Sequence, residues 1–256
     1  MRKVLFEIFG VEIYSYGLMI AIGIICAGIL FVKRIKNKGY DEDNLFSAII
    51  ISILSGVVGG KLLYIIVEFK EFLDDPLSMI KNFGNGFVIY GAIIGGALGL
   101  IIYCKIKRWN ILEVFDFAMP AVALAQSFGR IGCFLSGCCY GKETDLWIGV
   151  EFPTDSLAPA HVHLHPTQLY SSIFDFALAV FLIIYSRGAK KKGRVLSWYI
   201  IVYSIGRFLV EFLRNDPRGN VSVLSTSQFI AIITFVLGII LFNIDKFKKG
   251  EKSSEV

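Results

Sequence analysis

A chain of 256 residues that is 55% hydrophobic, with a mean hydropathy of +0.65, is too apolar to be a water-soluble domain of its size. Its 26 basic and 21 acidic residues leave a net charge of +5. The basic groups sit in short clusters beside apolar runs and make no single face, which excludes nucleic acid as a partner.

A helical bilayer span needs about 20 apolar residues. Seven runs qualify: Tyr14–Phe31, Leu45–Phe69, Phe87–Cys104, Leu112–Leu135, Pro166–Tyr185, Val195–Leu213 and Val223–Phe242. The residues before them, Met1–Gly10, carry Glu7, and no small-residue cleavage site follows the first run, so the first span reads as retained. Span one opens with Tyr14 and Tyr16 and is followed by Lys33, Arg34, Lys36 and Lys38. Span two holds Lys61 together with Gly56, Gly59 and Gly60. Span three starts near Tyr90 and carries Gly91, Gly95, Gly96 and Gly99, in GxxxG spacing that lets helix backbones approach closely. Lys105, Lys107 and Arg108 follow it.

Span four contains Gln126 and Arg130, and it runs into a connection, Ser136–His165, long enough for a small cap. His165 then precedes Pro166, which suits a first helical turn, so His165 reads as a residue at or near the N-cap of span five, ahead of Gln168 and Tyr170. Arg187, Lys190, Lys191, Lys192 and Arg194 follow span five. Span six places Tyr203, Arg207, Glu211 and Arg214 at spacings of four, four and three, on one helix face, with Arg207 and Glu211 able to pair. Span seven opens with Ser225, Thr226, Ser227 and Gln228, and a charged tail follows at Lys246–Val256.

The basic clusters after spans one, three, five and seven fix the orientation by the positive-inside rule. The fold expected is an all-α polytopic membrane protein with seven transmembrane helices. The N-terminus lies outside and the C-terminus in the cytoplasm. Residues 1–245 form one bundle, 136–165 a small outer-face cap and 246–256 a cytoplasmic tail. In this orientation the polar groups of the spans gather in the outer leaflet.

Arg130 lies within the apolar stretch Phe115–Leu135 and Arg207 within Leu196–Leu213. A guanidinium cannot shed its charge. Keeping one at membrane depth costs about 3 kcal/mol on insertion scales. Two such groups point to an anion held in the bilayer, most simply a lipid phosphate. A structural ion pair accounts for Arg207 and Glu211 equally well. A channel needs polar lining through the inner half, which these spans lack.

Three strings carry the local chemistry: Gly129-Arg-Ile-Gly-Cys-Phe-Leu-Ser-Gly-Cys-Cys-Tyr-Gly141, His165-Pro-Thr-Gln-Leu-Tyr170, and Tyr203-Ser-Ile-Gly-Arg-Phe-Leu-Val-Glu-Phe-Leu-Arg214. With Tyr16-Gly-Leu-Met19, Asp116-Phe-Ala-Met-Pro120 and Leu224-Ser-Thr-Ser-Gln228, in this order, the chain resembles the bacterial prolipoprotein diacylglyceryl transferases. The resemblance implies a multi-pass enzyme of the bacterial cytoplasmic (inner) membrane with its active site at the outer leaflet. Such enzymes move a diacylglyceryl group from phosphatidylglycerol to the thiol of a lipobox cysteine in a prolipoprotein signal peptide, and release glycerol 1-phosphate. It also implies that Arg130 is the essential signature arginine, and that Tyr203, Arg207 and Glu211 are the span-six site residues. Three departures stand out. Cys133, Ser136 and Cys138 occupy positions usually held by asparagines and a glutamate. Tyr90 stands where a span-three histidine is expected, and Lys61 replaces a span-two arginine.

The implied reaction displaces a phosphate monoester, whose developing charge suits Arg130 and Arg207. The resulting expectation is a catalytic set of Arg130, Arg207, Tyr203, His165 and Tyr90, with His165 ahead of Tyr90 as proton acceptor. The donor lipid falls to Arg130, Arg207, Tyr16, Lys61, Gln168, Glu211 and Gly141. No metal and no organic cofactor is expected. Of the five cysteines, Cys26 and Cys104 read as packing residues. Cys133, Cys138 and Cys139 read as small packers too. A zinc site with His161, His163 and His165 fits no standard spacing, a disulfide is chemically open, and an acyl-carrier cysteine lacks a nearby base. The competing functions are a transferase using the same donor with another acceptor, a lipid transporter, and a membrane scaffold, which leaves both arginines unexplained.

Overall fold

The computed structural model describes residues 4–8, 11–75, 86–216, 220–221 and 223–254. Among these are eight α-helices and three two-stranded antiparallel sheets. By contacts the chain divides into two compact units, one formed by Val32–Val114 and the other by Met1–Phe31 with Phe115–Val256.

The Val32–Val114 unit is built on α2 (Glu42–Val67) and, after the short α3 (Phe69–Asp74), α4 (Ile89–Ile106). Asp41 starts α2 three residues before the expected span: its carboxylate accepts the Asn44 N–H at 3.1 Å, satisfying a donor that the first turn leaves open. The glycines then do what their spacing predicts. A β-carbon on Gly59 would run into the Gly91 carbonyl, and one on Gly95 into the Ser55 carbonyl, so α2 and α4 pack backbone to backbone. Tyr103 closes the end of the pair by donating its hydroxyl to Asn44 Oδ1 at 3.2 Å.

The other unit begins with a hairpin, β1 (Val4–Ile8) and β2 (Val11–Tyr14), and continues as α1 (Ser15–Ile35). It then holds α5 (Ile111–Ser136), α6 (Thr167–Gly188), α7 (Arg194–Glu211) and α8 (Thr226–Ser254). Gly132 admits Tyr16 and Met19 of α1 against α5. Ser127 of α5 and Ser172 of α6 meet hydroxyl to hydroxyl at 3.1 Å. Ser204 of α7 meets Thr234 of α8 at 2.8 Å. Small hydroxyl residues recur at these contacts because they allow close approach and still satisfy their own polar atoms. The 136–165 connection is folded. Strands β3 (Val150–Glu151) and β4 (His163–Leu164) pair, and Phe152, Ala158 and Leu164 bury together against Phe134, Tyr140 and Val162.

Six of the described helices are long and apolar enough to cross a membrane: α1, α2, α4, α5, α6 and Thr226–Ile244 of α8. Their outer surfaces are studded with exposed Ile, Leu, Val and Phe, such as Ile50, Leu54, Ile94 and Ile173. In water that surface would be a liability; in lipid it is the solvated face. The chain is a mostly helical polytopic protein. The expected sixth span, α7, is not among these six, and its 18 residues include Arg194, Arg207 and Glu211. Three short two-stranded sheets accompany the helices, the first of them ahead of α1. The helix that carries span seven continues past Phe242 through Ser254.

Asp116 explains one string that periodicity leaves mute. Its carboxylate accepts the Gly193 N–H at 2.6 Å and the Leu196 N–H at 2.8 Å, capping the start of α7 from the side of α5. A carboxylate at a helix N-terminus satisfies open donors and meets the positive end of the helix dipole. Asp116→Ala is expected to cost about 1–2 kcal/mol, read as a lower thermal midpoint in detergent, with Asp116→Asn recovering part of it.

Candidate functional site

The site forms where α5, α6 and α7 converge. Arg130, Ser171, Asp175, Tyr203, Gly206 and Arg207 line one pocket, with Phe174 and Val210 as its apolar wall. Gly206 is required by that wall: the Phe174 ring lies where a β-carbon would be. The Tyr203 ring stacks on that of Tyr199, with centroids 5.6 Å apart, and Tyr199 in turn donates to Gln126 Oε1 at 2.9 Å. Tyr203 is thus braced from the turn behind it.

The two pocket arginines are held differently. Arg207 donates through Nη2 to Ser227 Oγ at 2.8 Å, and its Nη1 lies 3.1 Å from Glu211 Oε2. The pairing expected from their spacing is therefore present. Glu211 is nearly inaccessible and is shared: Arg214 Nη1 lies 3.8 Å from the same oxygen, and Ser225 donates to the other carboxylate oxygen at 2.8 Å. Arg214 is itself gripped by Asp216 through two bonds, of 3.0 and 2.7 Å. Ser225 and Gln228 complete a reciprocal cap at the start of α8, through bonds of 3.1 and 3.2 Å, which fixes the neighbours of both arginines. Arg130 differs. Among the described residues it makes no hydrogen bond or ion pair, only electrostatic interactions with Tyr203, Asp175, Cys133 and Cys139. A charged fork of donors is left facing a pocket that also receives Arg207.

The turn after Arg130 is closely determined. The Gly137 N–H bonds to the Phe134 carbonyl and the Cys138 N–H to the Cys133 carbonyl, both at 3.2 Å, with Gly137 at φ +70, which closes α5 as a Schellman motif. Thr167 and Gln168, from the first turn of α6, donate to the carbonyls of Cys139 and Cys138, both at 2.7 Å. Gly141 bridges to Arg214, and a β-carbon on it would lie 2.6 Å from the His165 β-carbon, so the glycine serves backbone approach.

A sequence profile of the prolipoprotein diacylglyceryl transferases matches residues 3–244. The chain belongs to that family. It is 61% identical over 249 residues to the phosphatidylglycerol–prolipoprotein diacylglyceryl transferase of Clostridium tetani, an alignment covering 97% of this chain and all of the relative. It is 60% identical over 256 residues to the second such transferase of Clostridium perfringens, covering all of both chains. A Clostridioides difficile transferase matches at 36% over 241 residues, 94% of each chain. Family membership thus spans both units.

Of the residues singled out from the sequence, Arg130, Tyr203 and Arg207 meet in the pocket, with Glu211 one turn beyond. Tyr16 neighbours Gly132 and interacts electrostatically with Arg130. Gln168 and Gly141 serve the signature turn and do not line the pocket. His165 stands one residue before Pro166, the N-cap of α6, as its sequence position suggests. Its ring nitrogen Nδ1 lies 3.1 Å from the Tyr170 hydroxyl, and its backbone pairs with Gly141 and Lys142, so it stitches the turn to α6. Lys61 and Tyr90 belong to the Val32–Val114 unit. Lys61 is buried with its ammonium 5.1 Å from the Tyr64 ring centre, and Tyr90 opens α4. Asp175 was missed. A lone carboxylate in a run as apolar as Ile173–Ile184 is itself a signal, since ionisable groups inside spans are rare without a function.

Proposed function

We propose that this chain transfers the diacylglyceryl group of phosphatidylglycerol to the lipobox cysteine thiol of prolipoprotein signal peptides. The carbon–oxygen bond to the phosphate breaks, a carbon–sulfur thioether forms, and glycerol 1-phosphate leaves. What carries the reading is the convergence of Arg130 and Arg207, from two helices of a family member, on one pocket. The charge that develops on the departing phosphate needs preorganised donors in a dry site, and two guanidinium forks supply them. Arg207, anchored by Glu211 and Ser227, is the fixed half of the clamp; Arg130 is the half with donors to give. Tyr203 between them offers a hydroxyl to the same oxygens. The incoming thiol must lose its proton, and the positive field of the arginines favours its thiolate. Asp175, inside the pocket, takes the role of proton acceptor in preference to His165, which is engaged with Tyr170.

The placement proposed is a bacterial cytoplasmic membrane with α7 as a seventh span. In it the N-terminus lies outside, the 136–165 cap and the pocket at the outer leaflet, and the 246–256 segment in the cytoplasm. The paired charges of Arg207, Glu211 and Arg214 are what make such a span tolerable in lipid.

The test is transfer of labelled diacylglyceryl from phosphatidylglycerol to a lipobox peptide in detergent, alongside complementation of a cell depleted of its own transferase. Absence of both activities in a folded protein overturns the reading. In the same assay His165→Gln is expected to keep turnover within about tenfold, while Asp175→Asn lowers it by about 10²–10⁴. The reverse ranking would return the base to His165.

A further inference from the structure

Cys133, Cys138 and Cys139 are unpaired by disulfides, yet their three sulfur atoms all lie within 4.8 Å of one another. Cys133 lies near the end of α5 and Cys138 and Cys139 in the turn that follows, and the backbone gives up comfort to gather them. Gly137 and Cys139 both take positive φ, +70 and +62, and for a non-glycine residue such as Cys139 that conformation is strained. Thr167 and Gln168 hold the carbonyls of the two adjacent cysteines in place. Packing alone asks for none of this: a small packer needs no second and third thiol at its side.

Three sulfurs bonded tetrahedrally to one zinc ion at 2.3 Å stand about 3.8 Å apart, a separation within the observed bound. The charge also fits. Three thiolates with a divalent ion carry one net negative charge, and the cluster begins three residues after Arg130 in the chain. Cys138 and Cys139 are only partly buried, which leaves an entry path. We infer that Cys133, Cys138 and Cys139 form a three-thiolate site for a thiophilic d10 cation of the Zn2+ type. The ion takes no part in the transfer step; it clamps the end of α5 to the signature turn and fixes the helix end from which Arg130 projects. Soft thiolate sets select such cations over Mg2+ or Ca2+.

The experiment uses the full chain in detergent, purified under reductant and stripped with a chelator. Titration with Cd2+ is expected to give a thiolate-to-metal charge-transfer band that saturates at one ion per chain, with Zn2+ competing for the site. Zn2+ is expected to protect three of the five thiols from maleimide, counted by mass spectrometry. Cys139→Ser is expected to weaken binding at least tenfold, whereas Cys26→Ser leaves it unchanged. Should Cys139→Ser fail to fold, the protection count on the unsubstituted chain decides. Failure to bind one ion per chain, equal labelling with and without Zn2+, or a freshly purified chain two hydrogens lighter from a disulfide overturns the proposal.

Discussion

Arg130→Ala is expected to reduce diacylglyceryl transfer by about 10²–10³, equivalent to about 3–4 kcal/mol of lost transition-state stabilisation, with little change in thermal stability. The asymmetry follows from how Arg130 is held. Among the described residues no hydrogen bond or ion pair spends its donors, so its removal breaks no network. What disappears is a fork aimed at the place where phosphate charge would develop. Arg130→Lys restores the charge without the planar fork and is expected to recover only part of the rate. Steady-state kinetics should place the loss in kcat more than in KM, because the interaction strengthens as the phosphate departs. Full activity in a folded Arg130→Ala protein removes this residue from the mechanism.

Glu211→Ala is expected to do the opposite, unfolding the site before chemistry is reached. Glu211 is 5% exposed and serves Arg207 at 3.1 Å, Arg214 at 3.8 Å and Ser225 at 2.8 Å. Removing it leaves the half-buried Arg207 without its carboxylate partner, while Arg214 keeps Asp216. Breaking a buried ion pair from one side costs about 3–5 kcal/mol. For a chain of this size that is a fall of roughly 10 °C in the thermal midpoint. Transfer is expected to be lost with it, because Arg207 loses the group that aims it. Glu211→Gln, which keeps an acceptor for Ser225 and removes the charge, is expected to fall between. An unchanged midpoint in Glu211→Ala would show that the carboxylate is not shared in the way described.

The two outcomes illustrate what residue type alone cannot tell. Arg130 and Arg207 both read along the chain as guanidinium groups in apolar runs, and only the Glu211 four residues after Arg207 sets them apart. Only their surroundings separate a group with donors to give from one already committed. The Arg207–Glu211 pair was legible because residues four apart on a helix are neighbours whatever the fold. The shared role of Glu211, by contrast, depends also on Ser225, which neither period nor spacing brings to it. Asp116 and the Ser225–Gln228 pair were visible as members of conspicuous strings, but their work as helix caps appears only once the capped helix lies beside them.

Hydrophobic runs and motif order were enough to determine from the sequence a polytopic helical protein and its family. Those properties are local: a span must be apolar along its own length, and a signature is a string. Tertiary structure alone decided that Asp175 joins the pocket, that His165 is occupied with Tyr170, and that three cysteines read as packers bring their sulfurs together. It also decided which arginine keeps its donors. The pocket rests on contacts between segments far apart in the chain, set by how glycine and hydroxyl faces let helices close on one another, while the His165–Tyr170 bond and the cysteine cluster rest on local backbone turns; no periodicity records either.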